Sequence, residues 1–331
     1  MNTPSSVNTA PYTQESDFEQ AINGRISTLW HSREDGYFKT FDNTKLFWIK
    51  LTNPEHRKAI VIVNGRIECT WKYQELFCDL FQQGYDIYSY DHRGQGLSDR
   101  LIEDKEMGYV EEFEDYVKDL NLLVRHFDLS QYDNCYLLGH SMGGNIATRY
   151  VQTYPEHPFS AIALSAPMFG VNLPWHLKPI ATFLGQLLTA YYPKPTFAPG
   201  QESYFPKPFD GNFLSQSSVR YHWFRDLYEQ RPELKIGGAS TRWVWQGLMS
   251  SKQCILMTRQ LKIPLLLLQA GEDQIVSNAH QLRFIKKLAK TNPKCAMQIV
   301  YGARHELLFE TDEHRNQALD AIIHFFAQRH G

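Results

Sequence analysis

Short apolar runs alternate with amphipathic segments along most of the chain, and this alternation predicts strands that are each followed by a helix. Helical spacing is clearest in residues 113–127, where apolar positions recur on one face. Strands that alternate with helices indicate a mostly parallel sheet with helices on both faces, an α/β fold. The predicted strands after the N-terminal region are "KAIVIVNG", "YDIYSYDHRG", "NCYLLGHS", "FSAIALSAP", "IPLLLLQAGED" and "AMQIVYGARH".

The N-terminal region has a different pattern. Residues 1–13 are rich in Ser, Thr, Asn and Pro, and we expect them to be disordered. An amphipathic helix should follow, because Phe18, Ile22, Ile26 and Leu29 keep helical spacing. The stretch "GYFKTFDNTKLFWIKL" alternates around an Asp-Asn turn and predicts a hairpin.

The alternation stops after "LSAP" and resumes near "IPLLLL". Residues 168–258 between these points are rich in aromatic residues and proline. We therefore expect a core formed by residues 14–167 and 259–331, with residues 168–258 inserted as a helical cap or lid over the site.

Composition and charge narrow the class of protein. Of the 331 residues, 43% are hydrophobic and 21% are charged, as in a globular protein with a sizeable core. A net charge of −2 gives no indication of a nucleic-acid partner. The apolar runs are too short to span a bilayer, and the N-terminus shows no secretory signal pattern. Five scattered cysteines without a CxxC pair argue against a disulfide framework or a zinc site, and favour a reducing, cytoplasmic location.

The segment "LLGHSMGGN" contains the pattern G-x-S-x-G centred on Ser141, between a predicted strand and a predicted helix. A serine at such a corner has a strained backbone, and flanking glycines avoid clashes with neighbouring elements. The hydroxyl is exposed above the edge of the sheet, and the helix N-terminus offers N–H groups to a developing oxyanion. The alternative is a tight turn with no catalytic role.

A nucleophilic serine needs a base and an acid that orients the base, in the chain order Ser, acid, His. His305 follows the last predicted strand through a short loop, whereas His314, His324 and His330 belong to the terminal helix or its edge. For the acid, Asp273 lies just after a strongly apolar strand, with Glu272 as a weaker candidate.

An oxyanion hole needs two backbone donors. We expect one to be the amide of Met142, directly after the serine, and the other to be the amide of Arg66 in the loop after "IVIVNG". The alternative interpretation of "NGRIE" is a plain Asn-Gly turn.

Other motifs do not support cofactor or metal chemistry. "DHRGQGLSD" has G-x-G but not G-x-G-x-x-G, so we expect no dinucleotide site, with Asp91 and Arg93 satisfying loop amides and carbonyls. "HELLF" has Phe309 where a zinc-protease helix needs its second histidine. For His92 and His140 we expect packing roles. No cofactor and no metal are therefore predicted.

Several stretches resemble the α/β-hydrolases grouped as monoacylglycerol lipases and lysophospholipases, over nearly the whole chain. They are "NGRIECTWKYQEL", "YDIYSYDHRGQGLSDR", "LLGHSMGGNIAT", "KIGGASTRWVW", "LLLLQAGEDQIVSN" and "YGARHELLFE". The resemblance implies an α/β-hydrolase fold, a nucleophile at Ser141, an acid at Asp273 and a base at His305. It also implies oxyanion amides at Arg66 and Met142. The chain departs from the family pattern at Asn64, Ser277 and Cys69.

These observations lead to the expectation of a serine hydrolase that cleaves single-acyl lipid esters, most of all lysophospholipids, through an acyl-enzyme. A monoacylglycerol lipase or a general carboxylesterase is the alternative among enzymes, and a non-catalytic binding protein is the alternative outside them. The implied substrate and the aromatic insertion further suggest peripheral contact with the inner membrane. Four arginines of the insertion are candidates for attracting a phosphate head group: Arg220, Arg225, Arg231 and Arg242.

Overall fold

A single eight-stranded sheet organises the chain. The computed structural model describes residues 11–172 and 194–328. Its strands are β1 (Glu34–Lys39), β2 (Lys45–Leu51), β3 (Lys58–Val63), β4 (Tyr85–Tyr90), β5 (Asn134–His140), β6 (Phe159–Ser165), β7 (Leu265–Ala270) and β8 (Cys295–Val300). They lie in the order β1-β2-β4-β3-β5-β6-β7-β8. β1 and β2 form the antiparallel hairpin, β2 also pairs antiparallel with β4, and all later pairs are parallel.

Helices cover both faces of the sheet, as the alternating pattern predicted. Along β3 the side chains of Val61 and Val63 join one core cluster, and those of Ile60 and Ile62 join the other, because successive strand residues point to opposite faces. Within the described ranges the α-helices are α1 (Phe18–Ala21), α2 (Ser27–His31), α3 (Gln74–Gln82), α4 (Phe113–His126), α5 (Met142–Thr153), α6 (Ser218–Gln230), α7 (Thr241–Leu256), α8 (Asn278–Leu288) and α9 (Asp312–Ala327). A π-helical turn, Ile22–Ile26, joins α1 to α2.

Part of the segment predicted to be disordered packs against the core. Residues 1–10 lie outside the described residues, but Tyr12 and Thr13 are buried. The amide and the hydroxyl of Thr13 both donate to Oδ1 of Asp79, at 3.0 and 2.7 Å, and Tyr12 donates to Asp320 at 2.8 Å. These bonds to buried or partly buried carboxylates tie residues 12 and 13 to the core despite their polar composition.

The insertion between β6 and β7 has two helices in its described part. α6 packs its aromatic face into a small cluster of its own, with Tyr221, Phe224 and Tyr228 against Cys69. α7 joins the main core instead, because Trp243 packs with residues of α4 and α5. Residues 173–193 of the predicted cap lie outside the described residues.

The helices of residues 11–172 and 194–328 include none whose length and apolarity would let it cross a bilayer.

Candidate active site

Ser141 lies at the turn between β5 and α5, at the carboxyl edge of the sheet. Its backbone is strained, with φ 52° and ψ −116°, a region that non-glycine residues rarely adopt. The glycines are required by close approach: a Cβ on Gly143 would lie 2.0 Å from the carbonyl oxygen of Val63, and one on Gly139 would lie 2.7 Å from that of Gly143. Because these glycines have no side chains, the turn can pack directly against the end of β3.

The structure brings together the three side chains that the sequence singled out. Oγ of Ser141 lies 2.9 Å from Nε2 of His305, and Nδ1 of His305 lies 2.7 Å from Oδ2 of Asp273. A carboxylate only accepts hydrogen bonds, so Nδ1 carries the proton and Nε2 is left to accept from the serine hydroxyl. Glu272, the weaker acid candidate, is exposed, and its amide donates to the carbonyl of Ala303.

The charges around His305 and Asp273 favour protonation of the histidine. Burial opposes protonation of His305, but the attraction and hydrogen bond of the Asp273 carboxylate outweigh it and raise the pKa of His305 above 6.5. Burial also opposes ionisation of Asp273, yet His305 and the amides of Val276 and Ile275 hold the pKa of this carboxyl below its usual value. Asp273 therefore stays ionised beside the imidazole.

The two predicted oxyanion donors follow different strands, and the end of β3 packs against the turn at Ser141. Met142 is the first residue of α5, and Arg66 lies in the loop that follows β3. Among the described residues, neither backbone amide donates a hydrogen bond. The loop is more than a plain turn, because Oε2 of Glu68 accepts from the amide of Gly65 at 2.5 Å and closes it from inside.

A buried ionic network supports this loop, and no motif revealed it. Nζ of Lys72 lies 2.8 Å from Oε1 of Glu68 and 2.7 Å from Oε1 of Glu306, the residue after the histidine base. Tyr73 donates to the other oxygen of Glu68 at 2.7 Å. Burial alone would raise the pKa of Glu68, but Lys72 holds it at about 2. The spacing of Glu68 and Lys72, four residues apart in "GRIECTWKYQEL", was the available signal.

His92 and His140 are buried and donate to backbone carbonyls, as expected for packing residues. Nε2 of His92 donates to the carbonyl of Asn64 at 2.9 Å, and Nδ1 of His140 donates to that of Ser165 at 3.1 Å. Burial lowers the pKa of both imidazoles to about 4, so they are neutral at pH 7. The ring centre of His140 lies 5.0 Å from that of His305, so the two imidazoles are neighbours.

The glycine-rich segment after β4 acts as a structural turn. Asp91 accepts from the amides of Thr70 and Leu97 at 2.6 and 2.7 Å, as predicted. The prediction for Arg93 was wrong in its partner: its guanidinium binds the carboxylates of Asp119 and Asp42, because a planar fork matches carboxylate geometry better than single carbonyls.

The cap arginines are mostly neutralised by carboxylates. Arg220, predicted to attract a phosphate, is buried and bound to Glu75 and Asp312, at 2.9 and 2.8 Å, so that prediction is wrong for Arg220. The other three are partly exposed: Arg231 pairs with Glu233, Arg242 pairs with Glu111, and Arg225 lies over the rings of Tyr221 and Phe224. Within the described ranges, no group of three or more His, Cys, Asp or Glu side chains is placed to hold a metal ion.

Comparisons with known proteins show the family to which the chain belongs. Residues 54–312 match the Hydrolase_4 family, described as "Serine aminopeptidase, S33". The chain is 35% identical over 323 residues to the lysophospholipase L2 of Escherichia coli (strain K12), covering 95% of this chain and 93% of that protein. It is 27% identical over 279 residues to the monoglyceride lipase of Homo sapiens, covering 82% and 83%.

Solved structures of low sequence identity share the fold. A highly thermostable carboxyl esterase from Bacillus coagulans, in complex with glycerol, superposes with a TM-score of 0.71 at 18% identity, covering 90% of this chain and 99% of that one. At this identity the likeness shows the fold alone.

Proposed function

The chain belongs to the Hydrolase_4 family of serine hydrolases, has the α/β-hydrolase fold and hydrolyses ester bonds, and on this premise we propose that its substrates are single-acyl lipids, above all lysophospholipids. The observation that carries the proposal is the hydrogen-bonded series Ser141–His305–Asp273 at the carboxyl edge of the sheet. The names of the similar proteins, a lysophospholipase and a monoglyceride lipase, support the substrate class.

Ser141 acts as the nucleophile in the proposed reaction. Its Oγ attacks the acyl carbonyl carbon while Nε2 of His305 takes the hydroxyl proton, and Asp273 stabilises the imidazolium that forms. His305 then gives this proton to the departing glycerol oxygen, which leaves an acyl-enzyme on Ser141. Water loses a proton to His305 and attacks the ester, and the fatty acid is released as Ser141 recovers its proton.

The amides of Met142 and Arg66 stabilise the negative charge that develops on the carbonyl oxygen. Met142 directly follows Ser141, Arg66 follows the end of β3 that packs against the same turn, and neither amide donates a hydrogen bond within the described residues. Met142 begins α5, so the positive end of the helix dipole adds to the stabilisation. In comparable enzymes the loss of one such donor lowers turnover by roughly 10²–10³-fold.

Residues 168–258 are assigned as the cap that receives the acyl chain. Met168 and Trp243, both in this segment, are apolar and buried, and the amide of Met168 donates to the carbonyl of Ser141 at 2.9 Å. Each methylene that an acyl chain buries against such a wall contributes about 0.8 kcal/mol to binding. This apolar wall favours a lipid ester over a short-chain ester.

A substrate panel tests the proposed function. Lysophospholipids, monoacylglycerols and nitrophenyl esters would be given to the enzyme and to its Ser141→Ala variant, with Ser130→Ala, at an exposed serine, as the control. We expect the highest kcat/KM for lysophospholipids and no hydrolysis above background by Ser141→Ala. Faster hydrolysis of short nitrophenyl esters than of either lipid would favour a general carboxylesterase.

Labelling with a fluorophosphonate distinguishes an enzyme from a non-catalytic binding protein of the same fold. The 2.9 Å contact between Ser141 and His305 favours an activated serine, so labelling should be complete and should disappear in Ser141→Ala. An unlabelled wild-type protein would support the binding protein.

Peripheral contact of a cytoplasmic protein with the inner membrane is the last part of the proposal. Two phenylalanines of the insertion, Phe205 and Phe213, are 43% and 51% exposed, which suits insertion at a lipid interface. Co-sedimentation with phosphatidylglycerol-containing vesicles should fall when both are changed to serine. The same change at Tyr37, which is 59% exposed on β1, is the control. Equal sedimentation of all three proteins would contradict the contact.

A further inference from the structure

Arg66 carries a guanidinium that has no carboxylate partner. No ion pair joins it to Asp or Glu among residues 11–172 and 194–328, and residues 173–193 contain neither residue type in their sequence. Within the described part of the chain the guanidinium makes one hydrogen bond, from Nη1 to the carbonyl of Gly237 at 3.2 Å. Because an arginine side chain has five N–H donors, most of its binding capacity is left for a ligand.

The surroundings hold this guanidinium in one place. Its Cζ lies 5.1 Å from the ring centre of Trp243, and a Cβ on Gly108 would lie 3.2 Å from Nη1. The aromatic ring and the two glycine backbones restrict the side chain without neutralising its charge. A restricted cation loses less entropy when it binds an anion than a freely moving surface arginine does.

This position is linked to the turn at Ser141 through packed side chains of the insertion. The amide of Met168 donates to the carbonyl of Ser141 at 2.9 Å. A Cβ on Gly247 would contact both Met168 Cε, at 3.5 Å, and Trp243, at 3.6 Å, so these two side chains share one wall. The Arg66 guanidinium therefore packs on Trp243, whose neighbour at Gly247 is Met168, the residue that is hydrogen-bonded to the Ser141 backbone.

The electrostatics favour an anion at this point. Burial lowers the pKa of Arg66 to about 10, with no carboxylate to oppose the shift, and the side chain is still charged at pH 7. By contrast, carboxylates raise the pKa of Arg220 and Arg93 despite burial. A partly buried, unpaired charge is costly to maintain, and a bound anion would offset that cost.

We propose that the Arg66 guanidinium binds the phosphate of a lysophospholipid while the amide of the same residue binds the ester oxyanion. The proposal rests on the function proposed above and makes Arg66 the residue that selects lysophospholipids over monoacylglycerols. The path from the Arg66 amide nitrogen to Cζ contains the same number of covalent bonds as the path from the ester carbonyl carbon to phosphorus in a lysophospholipid. Arg66 can thus bind the ester oxyanion through its amide and the phosphate through its guanidinium, at the two ends of the glycerol unit. A monoacylglycerol has a hydroxyl in place of the phosphate and leaves the guanidinium unpaired.

Arg66→Met tests this assignment, because methionine keeps the backbone amide and much of the apolar stem. The measurement is kcat/KM for a lysophosphatidic acid and for a monoacylglycerol of the same acyl chain, both below their micellar concentrations. We expect the ratio of the two values to fall about 10- to 100-fold, the range for a charge-assisted hydrogen bond. Arg66→Lys, which keeps the charge but not the fork, should restore part of the ratio. Arg57→Met, at an exposed arginine beside the opposite end of β3, should leave the ratio unchanged.

A purely structural role for Arg66, in which its bond to Gly237 ties the loop to the cap, predicts a different result. Loss of the bond to Gly237 would lower both kcat/KM values by the same factor and leave the ratio unchanged, and this outcome overturns the proposal. A ratio that falls in Arg57→Met as much as in Arg66→Met would also overturn it, since any positive charge would then suffice.

A binding experiment separates this proposal from the proposed function. Ether analogues of the two lipids, which cannot be hydrolysed, would be titrated into the Ser141→Ala protein and followed by tryptophan fluorescence. Adding Arg66→Met should weaken binding of the phosphate-bearing ether about 10-fold or more and that of the neutral ether far less. Equal weakening refutes the phosphate site even if the enzyme hydrolyses lysophospholipids. Selective weakening supports the site even if turnover is absent. Glycerol phosphate without an acyl chain is the third ligand: binding as tight as that of the ether would assign the site to free phosphate and overturn the substrate assignment.

Discussion

The ammonium group of Lys72 lies 2.7 Å from the carboxylate of Glu306, in the interior of the protein. Lys72 also binds Glu68, which closes the loop that holds the Arg66 amide. Glu306 directly follows the histidine base. One buried cation therefore connects the loop of the proposed oxyanion hole with the loop of the proposed base, and the relative position of these two loops depends on it.

Lys72→Met should destabilise the protein strongly. The change leaves the carboxylates of Glu68 and Glu306 buried without their cation, and breaking a buried ion pair from one side costs about 3–5 kcal/mol. Urea unfolding measures the loss. Lys118→Met, which breaks a partly exposed pair and leaves Asp115 beside Arg93, should cost under about 1 kcal/mol. A cost for Lys72→Met as small as the control would contradict the role given to this network.

Ser141→Ala and Asp273→Asn should reduce turnover by different amounts. In a comparable serine protease the loss of the nucleophile costs about 10⁶-fold and the loss of the acid about 10⁴-fold, because the acid acts through the histidine. The double variant should be no slower than Ser141→Ala alone, because a group that works through the serine has no effect without it. Initial rates on a nitrophenyl ester provide the measurement. An additional loss in the double variant would show that Asp273 acts independently of Ser141.

The rate of fluorophosphonate labelling should rise with pH, and the midpoint of this rise should lie above pH 6.5. Only neutral His305 can take the serine proton, and Asp273 raises the pKa of this imidazole, so it loses its proton at a higher pH than usual. In Asp273→Asn the burial of His305 remains but the carboxylate charge is gone, and the midpoint should move to lower pH. An unchanged midpoint in this variant would mean that another group controls the titration.

Gly143→Ala should lower activity by at least about 10²-fold, the effect of losing one oxyanion donor. The added Cβ would lie 2.0 Å from the carbonyl oxygen of Val63 and 2.4 Å from that of Asn64, so the end of β3 and its loop must move. Gly24→Ala is the matched control, because its Cβ would meet no atom within 4 Å. The control should keep full activity, and circular dichroism would show whether Gly143→Ala remains folded. Full activity in a folded Gly143→Ala protein would contradict this account of the turn.

The fold class could be predicted because its signal is local. Each strand is a short apolar run, each core helix shows a repeating apolar face, and the hairpin of β1 and β2 is visible in its own alternation. The three side chains of the series could be selected for a related reason. Each follows a strand, and the carboxyl ends of parallel strands meet at one edge of the sheet.

The errors concern charged residues whose partners are distant in sequence. Arg220 was expected at a phosphate, but its partner Glu75 is 145 positions away. Lys72 was overlooked, and it binds Glu306 across 234 positions. Neither pairing leaves a pattern in a short window.

The sequence by itself determined the order of strands and helices and the chemical character of the turn at Ser141, since periodicity and steric demand act between neighbours in the chain. Only the tertiary structure decided which buried charges neutralise each other, and that Arg66 has no carboxylate partner among the described residues. The free energy of a buried charge depends on the atoms within a few ångströms in space, and folding draws those atoms from every part of the chain.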